Sequence, residues 1–461
     1  TPNVKKELTK LDVVSIAFGA IIGWGCFVLP GDVFLPQAGP LGTALGIGIG
    51  AILVMIISQS YGYLIQKLPG SGGEFSYIKA AFGKRHAFAG AWFLVLAYVM
   101  IIPLNATALG LLLRTFFPTI ANIGPLYSIS DWTVTIGELL PAILAVVMVA
   151  YINIKGVKSA GWIQTAISLL LLGSVLVITA MCMLSPAASF SNLLPLFHTS
   201  NDTHWAVDVL SIVAVSAWAF MGFDCIPQMS DEYNFPHKHS RRLMFLSIAF
   251  AALMYISINT ITAMAMPWQE LVTSSTNWAT GEAVAYLTGN VGLAIIAVAM
   301  FCAILSGLNG FFMSSTRLVH ALAQARALPT SFSKVHKTHA TPITAIYFVA
   351  SLSIMAVFFG RSILSLVVDM TSVGTSFVFL YSTAAAIKLA RAEENRKQCY
   401  ISFVGMAAAA FLLILLVIPC MPGYIGHTAM ALLFIWIVLG FIFYFIDRKR
   451  YLSLDNESYN F

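Results

Sequence analysis

The sequence predicts an all-α integral membrane protein of twelve transmembrane helices, and three observations predict it. Of 461 residues, 59% are hydrophobic and only 10% are charged, with a mean hydropathy of +0.86. A water-soluble domain has no use for so much apolar surface. The apolar residues also fall into runs near the roughly 20 residues that a bilayer-spanning helix needs. These runs lie at about 11–37, 41–66, 86–115, 139–154, 160–184, 205–230, 242–267, 291–327, 343–359, 362–390, 400–420 and 427–446. Finally, Lys and Arg gather in alternate loops. One set holds Lys5, Lys6, Lys10, Lys67, Lys79, Lys84, Arg85, Lys155, Lys158, Lys238, Arg241, Arg242, Arg326, Lys334, Lys337, Lys388, Arg391, Arg396, Lys397 and Arg448 to Arg450. The other set, near 116–138, 185–204, 268–290 and 421–427, holds none, and Arg114 and Arg361 at span ends are the exceptions. The positive-inside rule then places both termini in the cytoplasm of a multi-pass protein of the cell (plasma) membrane.

Charge therefore reports topology here, and the net +6 is no sign of nucleic-acid binding. The basic start runs directly into a full-length span, so no cleavable leader is expected. The six cysteines (Cys26, Cys182, Cys225, Cys302, Cys399, Cys420) have neither CxxC nor metal-ligand spacing. No disulfide, metal site or other cofactor is expected. A membrane-embedded enzyme needs a nucleophile–base pair or a metal cluster at one depth. The chain shows no His-rich or Cys-rich constellation, so it reads as a carrier and not an enzyme.

The first span carries Gly19, Gly23 and Gly25 around Trp24 and Cys26. Each glycine weakens a helix by about 1 kcal/mol relative to Ala. Two readings fit: a helix broken at mid-membrane to present bare backbone to a solute, or a face for close helix packing. The second span bears Gly42, Gly46, Gly48 and Gly50, a packing face. The loop 67–77 is glycine-rich but lacks the Lys-Ser/Thr of a phosphate loop, so it reads as a turn. In the third span, Asn105 faces either a cavity or a neighbouring helix. The fifth carries Gln164, Thr165 and Ser168 without a charge.

The sixth span reads Trp218-Ala-Phe220-Met-Gly222-Phe223-Asp224-Cys-Ile-Pro227. A glycine, a carboxylate and a proline fall together in apolar sequence. An acid at that depth is costly and marks function by default; the competing reading is a cap for the second half-helix. Breaks in the first and sixth spans point to two inverted five-helix repeats, 11–184 and 205–390, within a single transporter domain spanning 1–461, with helices at 400–446 added. In the eighth span His320 reads as a packing or solvated residue. In the tenth, Asp369 reads as a helix cap near the outer surface.

These residues resemble a family. Gly19-x-x-x-Gly23-x-Gly25-x-Phe27 is similar to the first-span signature of the amino acid–polyamine–organocation superfamily. Pro69-x-x-Gly72-Gly73-Glu74-Phe75-x-Tyr77 is similar to its first cytoplasmic loop. Phe220-x-Gly222-Phe223-Asp224 with Asp231-Glu232 and Pro236, Ser315-x-Arg317 to Leu328-Pro329, and Asp369 to Gly374 are similar to its sixth, eighth and tenth spans. The resemblance covers about residues 8–390. It implies the LeuT-like fold and a solute site between spans one, three, six, eight and ten. It implies that backbone N–H groups of Trp24, Gly25 and Cys26, beside Gly23, hold a carboxylate, and that carbonyls around Phe220 to Gly222 hold an ammonium.

The sixth span also resembles that of arginine–agmatine exchangers. That implies aromatic walls and a gate from Trp218 and Phe223, charge or proton coupling at Asp224, and a substrate-facing aromatic at Phe311. Asn105 and Ser372 are further candidates. Trp24 stands where the family usually has a small residue, and the fifth span lacks the lysine of some proton-coupled members. The expected function is secondary transport or exchange of a small amino acid by alternating access; the alternative is an organic amine or polyamine lacking a carboxylate. The coupling ion is a proton, or sodium held by oxygens of Ser306, Ser314 and Ser315.

Overall fold

A computed structural model describes residues 6–70, 72–129, 132–198, 204–274, 278–336 and 338–452. Lys5, Ser71 and Lys337, which the sequence places in loops, lie outside the described residues. The protein is helical almost throughout, a multi-pass membrane protein. Among the described residues nine helical segments are long and apolar enough to cross a membrane, one of them the 58-residue stretch Lys10–Lys67, and Trp205–Ala219 and Ile343–Val357 are shorter apolar helices.

Helix α1 (Lys10–Ile21) starts at a capping box, in which the Thr9 hydroxyl and the Asp12 carboxylate satisfy each other's backbone N–H groups. It stops at Ile21, and α2 (Gly25–Leu29) resumes after three unwound residues. A π-turn over Pro30–Phe34 leads into α3 (Leu35–Lys67), which bends at Gly39 (φ 69°) ahead of Pro40. The 41–66 run is the part of α3 that follows this bend. Then come α4 (Gly73–Phe82), lying between apolar runs, and the long α5 (Lys84–Phe116).

The loop expected over 116–138 is structured. It holds α6 (Pro118–Ala121) and an antiparallel hairpin, β1 (Pro125–Ile129) with β2 (Trp132–Thr135). The Arg114 guanidinium lies 3.7 Å from the Trp132 ring centre, donates to Thr133 O at 2.9 Å and pairs with Glu138. Arg114 is thus neutralised where it stands.

Helices α7 (Ile136–Lys155), α8 (Val157–Leu184) and α9 (Trp205–Ala219) follow. The short α10 (Cys225–Gln228) is separated from α9 by five residues in turns. Next are α11 (Ser240–Met264), α12 (Trp268–Thr273) and α13 (Ala279–Gln324). Gly289 (φ 70°) bends α13, so the helix begins well before the 291–327 run. The chain ends with α14 (Ile343–Val357), α15 (Gly360–Ala392), α16 (Arg396–Val417) and α17 (Gly426–Leu452). In the core α1 packs on α8, α11 and α13, while α5 packs on α13 and α15.

Candidate solute-binding site

The two interrupted segments meet. Gly222 has φ 130°, and a Cβ on it would lie 2.7 Å from Ile21 N and 2.9 Å from Ala20 C. Only glycine allows both that backbone angle and that approach. At one break α1 ends with C=O groups and α2 begins with N–H groups that have no intrahelical partner. The same holds for the end of α9. The Tyr255 hydroxyl of α11 lies 3.5 Å from Ile21 O and 3.4 Å from Ala219 O, between the C-terminal carbonyls of α1 and α9. Helix ends carry partial charge, positive at the start of α2 and negative at these carbonyls. From the other side, Trp278 Nε1 donates to Phe27 O at 2.8 Å and pins α2.

Helices α5 and α13 brace the breaks in antiparallel fashion. Tyr98 and Asn105 stand seven residues apart on α5, two turns along one face, about 10 Å. Asn105 fills the gap between Gly23 and Gly307: a Cβ on either would lie 3.1 or 3.0 Å from Asn105 Oδ1. Its Nδ2 donates to Ile101 O at 3.0 Å, which aims Oδ1 at the glycine break. Asn105 is 2% exposed, and Oδ1 has no partner among the described residues. Trp218 Nε1 is a buried donor equally without one.

Toward the Lys/Arg-poor end a cavity of about 440 Å³ opens over the breaks. Trp24, Trp218 and Ser372 line it, and Asp32 and Asp369 are its charged lining residues. The two indoles are 5.9 Å apart at 56°. The Trp218 ring rests on the backbone of Gly25, where a Cβ would come within 2.8 Å of it. Ser372 Oγ is turned back onto Val368 O at 2.9 Å. Thr375, one turn further along α15, donates to Met221 Sδ at the second break at 3.0 Å.

Toward the Lys/Arg-rich end the site is packed shut. Asp224 Oδ1 accepts from Gly222 N–H at 2.7 Å and Oδ2 from the Tyr98 hydroxyl at 2.8 Å. The same hydroxyl lies 3.3 Å from Glu74 Oε1, and Gln228 Nε2 donates to Glu74 Oε2. Burial, and then the neighbouring Asp224, hold the Glu74 carboxyl well above the usual carboxylate range. Below this group Arg317 pairs with Glu232 at 3.1 Å, both buried. The Leu8 backbone bridges to the loop after α10, donating to Glu232 O at 2.9 Å and accepting from Asn234 N–H at 3.0 Å.

Gly23, Trp24, Gly25, Asn105, Trp218 and Asp224 are thus gathered around the breaks, and Ser372 lines the cavity above them. Cys26 is buried behind the break. Of the aromatic candidates Trp218 lines the cavity, while the rings of Phe223 and Phe311, and that of Phe220, a candidate for its backbone carbonyl, stand elsewhere. Phe223 is wedged between Tyr61 and Phe379, each ring centre 5.3 Å away, and is fully buried. Phe220 packs on Tyr255, and Phe311 on Tyr98. None of the three lines the cavity. Sequence reasoning singled out neither Tyr98 nor Tyr255, and read Glu74 only as part of a turn.

A polar cluster ties α1, α8 and α13 together behind the break. Gln164 Nε2 donates to Ser306 Oγ at 2.7 Å, to Ser15 O at 3.2 Å and to Ser306 O at 3.3 Å. Its Oε1 accepts from Asn309 Nδ2 at 2.9 Å, which fixes the amide's orientation. Ser314 Oγ bonds Gly310 O.

The family model for amino acid permeases matches residues 8–443. The chain belongs to the amino acid permease family. It is 22% identical to the branched-chain amino acid permease BcaP of Bacillus subtilis, over 98% of this chain and 95% of that protein. It is 28% identical to the human large neutral amino acids transporter small subunit 2, over 75% of this chain but only 63% of that protein's length. It is 27% identical to the serine/threonine exchanger SteT of Bacillus subtilis, over 76% of each. This permease family is one of transporters, not enzymes, and its members act on small molecules.

Proposed function

We propose that this permease carries a small neutral amino acid across the cell membrane by alternating access between its two broken helices. The observation that carries the reading is the junction of the breaks. There the α2 N-terminus and the carbonyl ends of α1 and α9 meet beside one unpaired buried acceptor, Asn105 Oδ1. A zwitterion answers all of these at once: its carboxylate meets the N–H groups of Trp24, Gly25 and Cys26, and its ammonium meets carbonyls and Asn105. The relatives named above, carriers of branched-chain, large neutral or hydroxyl amino acids by their names, support the same class.

The architecture we infer is twelve spans, with 11–184 and 205–390 as inverted repeats. Lys10–Lys67 counts as two passes, and the two shorter apolar helices make up the rest. With the Lys/Arg-rich loops in the cytoplasm, the cavity faces outward and the packed end is the inner gate.

The organic-amine alternative needs a carboxylate facing the solute. Asp224 is a poor candidate, since Gly222 and Tyr98 occupy both its oxygens. Asp32 and Asp369 in the cavity favour cations there, and this keeps the amine as the second reading. Stabilisation of the purified protein by paired solutes separates the two. A ligand specific to the folded state contributes about 2.7 kcal/mol at a hundredfold excess over its Kd. Stabilisation by a neutral amino acid but not its decarboxylated amine, with uptake of the same amino acid into proteoliposomes, is the expected result. Stabilisation and uptake by the amine alone would overturn the proposal.

For coupling we infer a proton. One tyrosine hydroxyl has one hydrogen, yet Tyr98 touches both Glu74 and Asp224. A proton on one of the carboxyls completes the set. The sodium reading loses support at Ser306, whose oxygens already accept from the Gln164 amide. Asp224→Asn is expected to abolish pH-driven uptake while folding survives. Wild-type uptake with an unchanged pH profile would remove Asp224 from the coupling.

A further inference from the structure

At the Lys/Arg-rich end, on the outside of the bundle, a second cavity lies between α3 and α11. Its volume is about 710 Å³. One wall is apolar, with Ile52, Met55, Ile56 and Phe245, and the other carries Lys238, Arg241 and Arg242. The apolar wall is not core. Ile52 is 58% exposed and Phe245 45%, so this wall faces the hydrocarbon of the bilayer. The cationic wall sits at interfacial depth. Arg241 stands level with Gly62, where a Cβ would lie 2.7 Å from its own, five residues before the Lys67 end of α3, roughly 8 Å along the axis.

Arg241 Nη2 donates to Gln398 Oε1 of α16 at 3.1 Å, its one side-chain hydrogen bond among the described residues. Gln398 is fixed in turn by Ser402, which accepts from both it and Ser60 of α3. Arg241 Nε is buried and has no partner among the described residues. No carboxylate lines the cavity. Three cations therefore surround a space whose other side is hydrocarbon-compatible.

We propose that this cavity is a binding site for one anionic phospholipid of the cytoplasmic leaflet. The phosphate bonds the Arg241 fork, a geometry suited to bidentate contact. Lys238 and Arg242 supply charge, and the acyl chains run along Ile52, Ile56 and Phe245. Basic pockets between membrane helices on the cytoplasmic side hold such headgroups. A free phosphate has no use for the apolar wall, which is why the lipid is the occupant.

The test compares delipidated protein in neutral detergent with added phosphatidylglycerol, phosphatidylcholine or inorganic phosphate, read by melting temperature and by native mass spectrometry. Phosphatidylglycerol is expected to raise the melting temperature by several degrees with one lipid retained, and the other two additives are not. Lys238→Gln/Arg242→Gln, both exposed side chains, is expected to melt like wild type without lipid and to lose at least half of the lipid shift. Arg241→Lys, which keeps the charge and loses the fork, is expected to weaken retention of the lipid. An equal shift with phosphatidylcholine overturns the proposal. So does an equal shift with inorganic phosphate, or a full phosphatidylglycerol shift in both variants.

Discussion

Asn105→Ala separates a substrate contact from a structural one, because the two roles predict opposite changes. In the resting protein the side chain makes one hydrogen bond, to a carbonyl of its own helix, worth about 1 kcal/mol. It also leaves Oδ1 buried and unpaired, a penalty of about 1–3 kcal/mol. Removing both changes ligand-free stability little, or raises it. With substrate bound, Oδ1 accepts from an ammonium, and hydrogen bonds to charged groups contribute about 1.5–3 kcal/mol. Affinity should then fall by roughly 10- to 150-fold. The assay is a melting-temperature titration of wild type and variant with the best-stabilising amino acid, together with proteoliposome uptake. A variant that binds as tightly as wild type would show that Oδ1 does not meet the solute. A variant much less stable without ligand would show that the amide serves packing.

Gly222→Ala places a side chain at φ 130° and against Ile21 N; strain of about 1–3 kcal/mol should be relieved by separating the breaks. Uptake should collapse and melting temperature fall, and wild-type uptake would contradict the junction. The Glu74 carboxyl, held above its ordinary range, binds its proton more tightly folded than unfolded. The stability it contributes is therefore full at acidic pH and lost as pH rises through its folded value. Glu74→Gln should flatten the acid-to-neutral decline in melting temperature relative to wild type; a parallel decline in both proteins counts against the neutral carboxyl. Trp24→Ser removes an indole from the cavity floor and should shift selectivity toward larger side chains by about tenfold or more, since one methylene of pocket space discriminates by about 1–3 kcal/mol. An unaltered uptake panel would take Trp24 out of the site.

Much of this was legible in the sequence because the signals are local. Three glycines in one span, and a Gly-Phe-Asp-Cys-Ile-Pro run in another, are improbable in plain membrane helices, and both became breaks. Asn105 was legible as an amide in an apolar helix. Tyr98 was not, since its hydroxyl earns no notice until Asp224, 126 residues away, is placed beside it. Glu74 sits in a loop that reads as a glycine-rich turn, and only packing of α4 against α5, α15 and α10 buries it. Phe223 stands at the gate only by the resemblance to exchangers, and a resemblance in sequence does not fix which way a side chain faces after an unwound stretch: here the Phe223 ring packs between Tyr61 and Phe379. The hairpin after α5 was hidden because its strands are only five and four residues long.

The two ends of the site are built from different chemistry, and the difference suits a gate. At the cavity end the indoles of Trp24 and Trp218 line the opening, and neither carries a charge that a rotation would leave unpaired. At the other end the closure is ionic: Arg317 with Glu232, and Tyr98 between two carboxyls. A buried ion pair contributes little net stability, since the desolvation it costs nearly offsets the attraction, and well-packed apolar replacements are often more stable by about 1–4 kcal/mol. An apolar plug of that kind would bias the closed form by a factor of roughly five to a thousand. The ion pair would avoid this if opening returned both partners to water, where they recover their hydration. Under the proposed transport cycle, low net cost in both states would keep the two forms near balance, so that the differential affinity of a small solute, or of a proton at the Glu74–Asp224 pair, would be large enough to tip them.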